Sequence, residues 1–412
     1  MESVDTVVVG AGQAGLATSF CLARDDRPHL VLERGRVAER WRSERWDGFV
    51  LNTPNWAQRL PGFHYAGSEP DAFAARVEVV EYLEDYSRSF AAPVREHAEV
   101  TAVRRTVGGF RVELDGDAVT ARNVVIAAGA YQRPTPNPLS ELLPPDVRQL
   151  HTSAYRNPGQ LPDGAVLIIG GGQSGCQIAD ELLGTGRRVF LSAGRCPWFP
   201  RRDRGRELVH WLLDTGMADE TIDKLPSPAA RLTCNPPVSG NDGGHDCNPR
   251  WLAARGAVLL GRVSGVSGHT LRIAEGLTES LAFGDEFLAT FRRRVDEFVA
   301  ATGLDVPERE PDDPPELVST IEELDLRREA VTTVLWANGF RPDHAWVEGV
   351  EIDAQGWPLH ERGASPVPGL YFVGLHWLHK RKSALFLGVG EDAEHVVATI
   401  ARREEEREHD QA

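Results

Sequence analysis

Two glycine turns of one form bound what this chain can fold into: Gly10-Ala11-Gly12-Gln13-Ala14-Gly15 and Gly170-Gly171-Gly172-Gln173-Ser174-Gly175. Each follows an apolar run that reads as a strand (6–9; 165–169) and opens a small-residue run that reads as a helix (16–23; 176–183). Another strand comes next in both cases (29–33; 188–192). In such a unit the first glycine makes the tight turn, and the second lets backbone N–H groups approach a pyrophosphate. The third lets helix and strand pack closely, while the helix N-terminus offers partial positive charge to the phosphates. A bare glycine hexad is a weak signal; strand, helix and a placed acid make it specific. That acid is Glu33, which ends the second strand of the first unit and can accept hydrogen bonds from the ribose hydroxyls of an adenosine.

The second unit ends differently, at Ser192-Ala193-Gly194-Arg195, with no carboxylate. An acid there would repel a 2′-phosphate, whereas Arg195 can pair with one, which favours NADPH over NADH. The plain alternative is a surface arginine in a basic stretch with Arg201, Arg202, Arg204 and Arg206. Two units imply two nucleotides whose redox ends meet. A tightly held FAD in the first and an exchanging nicotinamide in the second fit best, because a dehydrogenase of one dinucleotide would leave a unit idle.

At 412 residues the chain exceeds what one core usually organises. The expected fold class is α/β, with two Rossmann-like dinucleotide-binding domains. An FAD domain of residues 1–157 and 328–412 would carry an NADP domain, 158–327, as an insertion, with 205–325 roofing the active site. Helices are expected at 77–90, 207–213, around 283–302 and at 390–403, the last followed by a frayed charged tail. Short strands include 110–114 and 124–128, with later ones at 331–337 and 370–374. A proline-rich stretch (Pro134, Pro136, Pro138, Pro144, Pro145) reads as a crossing between domains, and 308–315 as a surface linker.

The net charge of −16 argues against nucleic acid as a partner, since phosphate backbones need a basic surface. No apolar run approaches the ~18 residues of a membrane span. A strand that starts almost at once leaves no room for a signal peptide. The five cysteines (21, 176, 196, 234, 247) form no CxxC or CxxxxC pair, which excludes a redox dithiol on spacing. Cys234, His245, Asp246 and Cys247 match no zinc pattern, so no metal is expected. Free cysteines and an acidic chain suit the cytoplasm.

Over nearly its whole length the chain resembles the flavin-containing monooxygenase superfamily, which includes plant indole-pyruvate and Baeyer–Villiger monooxygenases. The resemblance is carried by the first glycine turn, Glu33, Trp41, Leu51-Asn52-Thr53-Pro54, the stretch 82–86, and Ala127-Ala128-Gly129. Its later carriers are the second glycine turn, Ala337-Asn338-Gly339-Phe340 and Pro368-Gly369-Leu370-Tyr371-Phe372-Val373-Gly374. The endings Lys382–Leu385 and Gly388–Ala393 look like those of bacterial FAD/NAD(P)-dependent oxidoreductases of that branch.

That resemblance implies a reaction in which NADPH reduces FAD and a C4a-(hydro)peroxyflavin formed with molecular oxygen oxygenates a small organic substrate. It implies that Asn52 lies near flavin and nicotinamide, where its amide can bond to both; a turn-forming asparagine before Thr53-Pro54 is the alternative. By the same matching Gln13, Ala14, Arg34, Arg40, Trp41, Thr53, Ala128, Gly129, Gly374 and Leu387 line the FAD. Gln173, Ser174, Asn338 and Gly339 would face the nicotinamide nucleotide. The superfamily's linker signature FxGxxxHxxx(Y/W) keeps only His151 and Tyr155 here, and Tyr155 leans toward nitrogen or sulfur oxygenation over the Baeyer–Villiger reaction. Asn338 stands where the superfamily has threonine, and Arg195 sits about one residue beyond its phosphate-binding arginine. His376, His379, Lys380 and Arg381 are expected near the flavin's pyrimidine end, as a charge for reduced flavin or as a solvated loop. A reductase or oxidase that oxygenates nothing, and a non-catalytic flavoprotein regulator, are the competing readings. Oligomeric state is open, a homodimer included.

Overall fold

Runs of β-branched residues buried on both faces build strands that pair in parallel, and parallel strands need helical crossovers. The chain supplies both twice over. The computed structural model describes residues 2–232, 235–310 and 321–411, so part of the expected 308–315 linker lies outside the described residues. In chain order the helices are α1 (Gln13–Arg24), α2 (Glu39–Ser43), α3 (Arg76–Ser89), α4 (Gln173–Gly184), α5 (Leu208–Asp214), α6 (Pro249–Ala254), α7 (Leu277–Thr302) and α8 (Val389–Gln411).

The first sheet runs Val94–Arg95, His29–Leu32, Glu2–Val9, Ala118–Ile126, Gly109–Leu114, Val100–Thr106. Leu370–Phe372 pairs in parallel with the end of Ala118–Ile126, beyond the part that the antiparallel meander uses. The second sheet is parallel throughout and runs Val258–Leu260, Val189–Ser192, Ala165–Ile169, Val331–Trp336, Arg148–His151. With the meander set aside, the two sheets share the order of four strands and differ in the outer one, which comes last in the first sheet's chain order and first in the second's. In each, a glycine turn leaves the central strand beside the strand where the order reverses, the place where open α/β sheets bind ligands. Mixed α/β architecture with two dinucleotide-type units is therefore the fold class, as expected.

The second sheet continues past 158–327: Arg148–His151 and Val331–Trp336 flank that span, Arg148–His151 pairing with Val331–Trp336 and the latter with Ala165–Ile169. Neither strand carries a glycine signature, so nothing local marks it as part of the second unit. We propose the crossing at the antiparallel linkers Arg133–Pro134 and Phe340–Arg341 instead. Within 205–325, Val258–Leu260 belongs to the sheet, and Val263–Ser267, Thr270–Ile273 and Glu323–Asp325 form a small sheet of their own. α7 begins before the expected 283, and α8 continues to Gln411 instead of fraying after 403. The tail's Arg and Glu residues are strong helix formers, which sustains it. Among the described residues no helix is long and apolar enough to cross a membrane.

Candidate functional site

The two glycine turns have the same construction. Gly10 and Gly170 adopt φ of +107° and +121°, and a Cβ on either would lie 2.7 and 2.4 Å from the carbonyl oxygens of Ala127 and Ala337. Those alanines follow the strands at the reversal of each sheet. A Cβ on Gly15 would stand 1.8 Å from Gly10 O, and one on Gly175 2.0 Å from Gly170 O, so only glycine lets each helix lie this close. Gly12 and Gly172 cap α1 and α4 with nearly the same extended backbone, φ −86° and −80°. No atom lies within 4 Å of a Cβ added to Gly12 or Gly339, and only Arg40 Nη1, at 3.8 Å, does so for Gly129. Gln13, Gln173 and Ser174 are half-buried at the first turns of their helices, while Ala14 is buried. Gly12 in the first turn and Gly339 beside the second thus leave room for a close backbone approach, as a pyrophosphate cradle needs.

Glu33 is 8% exposed, and its two carboxylate oxygens accept from Ala11 N (2.7 Å) and Gly35 N (3.0 Å). These amides hold the carboxylate at the turn with lone pairs remaining for ribose hydroxyls. At the equivalent place in the second unit, buried Ala193 leads to exposed Gly194 and Arg195. Among the described residues no hydrogen bond or ion pair ties Arg195 down. It is therefore a free cation at the end of that strand.

The first unit's cleft is framed by α2 and by the segment after Gly129. Trp41 Nε1 donates to Gln13 Oε1 (3.2 Å), and the Trp41 ring stacks on Phe386, next to half-buried Leu387. Arg40 donates to the Tyr131 and Gln132 carbonyls, while Arg34 is tied outward to Glu44 (2.6 Å). Gly374 brings its strand end against α1, where an added Cβ would meet Ala14 Cβ at 2.5 Å. Sequence reasoning passed over Arg45, whose guanidinium lies over the rings of Trp41, Phe49 and Tyr131 at 5.3, 5.8 and 5.7 Å.

Asn52 and Thr53, both half-buried, sit on a loop that the second unit grips. Gln177 Nε2, from α4, donates to Asn52 Oδ1 (2.8 Å), and Arg201 Nη1 donates to Asn52 O (2.7 Å). Arg201 is 1% exposed, pairs with Glu207 and lies over Phe73 at 4.7 Å. Burial lowers its pKa to about 9, which leaves it charged at neutral pH. Trp56, later on the same loop, stacks on His210 of α5 at 4.5 Å. Neither Gln177 nor Arg201 was picked out from the sequence. Gln177 lies one turn beyond Gln173 on the same face of α4, and that spacing was the available signal.

The remaining candidates lie around the crossing between the units. His151 pairs through its ring nitrogens with Ser153 Oγ (2.9 Å) and Gly339 O (3.2 Å), and Asn338 Nδ2 donates to Thr135 O (2.6 Å). Tyr155, fully buried, donates to Glu181 Oε2 (2.6 Å), a carboxyl whose pKa burial raises. His376 packs against Tyr131, and burial lowers its pKa to about 4, so it is neutral. The basic loop beside it is not a free positive charge: Lys380 and Lys382 each bridge Asp219 and Glu391, and Arg381 pairs with Glu220. Surface cavities of about 540 Å³ (158–165 and 185–188) and about 640 Å³ (285–309) hold none of the motif residues.

Residues 7–213 match the family described as "Pyridine nucleotide-disulphide oxidoreductase". The "Uncharacterized oxidoreductase CzcO-like" of Geobacillus kaustophilus is 32% identical over 96% of this chain and 98% of its own. The rice "Indole-3-pyruvate monooxygenase YUCCA1" is 32% identical over 45% of this chain and 46% of its own. A solved flavin-containing monooxygenase from Stenotrophomonas maltophilia superposes with a TM-score of 0.66 at 22% identity, covering 98% of this chain and 99% of that one. The chain is an oxidoreductase that belongs to the pyridine nucleotide-disulphide oxidoreductase family and shares the fold of flavin-containing monooxygenases.

Proposed function

We propose that the protein is an NADPH-dependent flavin monooxygenase acting on a small organic substrate, at nitrogen or sulfur in preference to a carbonyl carbon. One observation carries this: two glycine cradles of the same build, one ending in a held carboxylate and the other in a free arginine, with the Asn52 loop gripped between the units. The first cradle fits FAD, with Gly10, Gly12, Gly15 and Glu33 on the adenosine side and Arg40, Trp41, Ala128, Gly129, Gly374 and Leu387 along the remainder. The second fits NADPH, with Gly170, Gly172, Gln173, Ser174 and Gly175 under the pyrophosphate and Arg195 on the 2′-phosphate. Bound FAD would supply the chemistry, taking a hydride from the nicotinamide and passing electrons to oxygen.

The chain's own residues orient and enclose. Asn52 offers an amide to both rings, and neutral His376 adds no charge beside them. Trp56, His210 and the gripped loop keep water from the meeting point of the units. The test is a panel of amines, sulfides and ketones incubated with protein, NADPH and ¹⁸O₂. One labelled oxygen atom per product molecule is expected. Products that carry no label would overturn the oxygenase reading.

A further inference from the structure

Asn52 is held at two points, and the two contacts do different work. Arg201, a side chain 1% exposed, donates to its backbone carbonyl and anchors the loop. The hairpin of Val238–Ser239 and His245–Asp246 closes on this loop and on Phe73: a Cβ on Gly240 would lie 2.1 Å from Leu51 O, and one on Gly244 2.7 Å from the Phe73 ring. Gln177, 4% exposed on α4, engages the side chain instead. Its amide donates to Asn52 Oδ1, which commits that oxygen and leaves the two N–H donors of Nδ2 without an acceptor among the described residues. An asparagine amide has one accepting end and one donating end, so whichever end its partner takes fixes what the other end offers.

We propose that Gln177 is a positioning residue that sets Asn52 to present hydrogen-bond donors to the cofactors, with Arg201 holding the backbone in register. This rests on the reading that Asn52 lies beside flavin and nicotinamide. The second unit's glycine helix would thereby carry two tasks on one face: its first turn faces the pyrophosphate, and its second turn orients the amide that belongs to the other unit. Because Gln177 and Asn52 come from different units, the donor pair is formed only where the units meet, which couples presentation of the amide to their docking.

The experiment uses the FAD-loaded full-length protein and three substitutions: Gln177→Glu, Gln177→Met and Asn52→Ala. Glutamate keeps the length but only accepts at neutral pH, so it demands the Nδ2 end of Asn52 and turns Oδ1 toward the cleft. Methionine fills the space and demands neither. Two quantities are read on each: the dissociation constant for NADP⁺ by calorimetry, and the rate of anaerobic flavin bleaching by NADPH. FAD content and melting temperature serve as folding readouts. Gln177→Met should weaken NADP⁺ binding by about fivefold, one hydrogen bond's worth, and Gln177→Glu by more than that. Both should retain FAD and slow bleaching.

Combining Gln177→Met with Asn52→Ala should cost no more than Asn52→Ala alone, because the glutamine acts through the asparagine. Additive losses, or wild-type values for both Gln177 variants while Asn52→Ala is impaired, would overturn the role of Gln177. If Asn52→Ala itself binds NADP⁺ and bleaches normally, the fault lies in the underlying reading of Asn52.

Discussion

The two glycine turns match down to single hydrogen bonds. Gly10 N donates to Leu32 O and Gly170 N to Ser192 O; Ala127 N donates to Val9 O and Ala337 N to Ile169 O. They part at the end of the next strand, where Glu33 is buried under two backbone amides and Arg195 stands in solvent. They part again in what packs on them, the long α8 on α1 and the short α6 on α4. A cradle that closes on a fixed carboxylate suits a resident nucleotide, and one that ends in a free cation suits a nucleotide that comes and goes. On the proposed reading the shared construction would hold a pyrophosphate, and the differences would set residence.

The hardest way to break this comparison is to fill the shared contact. Gly15→Ala and Gly175→Ala each place a carbon at about half the normal contact distance from a turn carbonyl, 1.8 and 2.0 Å in the wild-type backbone. The helix must move off its strand, and binding at that cradle should be lost. Gly15→Ala should purify without FAD. Gly175→Ala should keep FAD and lose anaerobic reduction by NADPH. The flavin-to-protein absorbance ratio and a reductive titration check the two; if both variants lost the same cofactor, the division of labour would be wrong.

The strand ends give a smaller and more selective effect. Glu33→Gln replaces a doubly held carboxylate and should weaken FAD retention by about 10- to 100-fold, the range of hydrogen bonds to a charged group. Arg195→Ala should weaken NADPH by a similar factor of about 10 while leaving NADH and FAD unchanged. Steady-state KM values for the two reduced nucleotides decide it. An equal loss for both would mean that Arg195 does not meet the 2′-phosphate.

How much of this the sequence disclosed follows a physical line. Gly10, Gly15 and Glu33 were legible because a left-handed φ, a contact too close for a Cβ and a ribose acceptor each demand a residue type at a local spacing. Both sheets' central strands were legible as buried apolar runs. Arg148–His151 was not, since it pairs with Val331–Trp336, far away in the chain. Gln177 and Arg201 were hidden for the same reason, as they reach Asn52 across 125 and 149 positions. The ion pairs of the basic loop at Lys380–Lys382 were hidden in the sequence because two of their acids, Asp219 and Glu220, lie in the other unit.

The smallest effect tests α8, the helix packed on α1. Asp392 lies in the first turn of α8, is 3% exposed, and has its pKa raised by burial from 3.8 to about 7. Between those values the folded chain keeps a proton that the unfolded chain has released, so this group's contribution to stability is most favourable below about pH 4 and falls as pH rises to 7. Above pH 7 the deficit is constant, with a ceiling of about 4 kcal/mol at roughly 1.4 kcal/mol per pH unit. Asp392→Asn removes the ionisable group while keeping its shape. Its melting temperature should therefore exceed wild type by several degrees at pH 8 and by progressively less toward pH 4, where the two should coincide. Melting curves of the FAD-loaded protein at pH 4.5, 6 and 8 provide the check. A gain that did not grow with pH would show that Asp392 does not titrate in this window, and that α8 backs the first unit through packing alone.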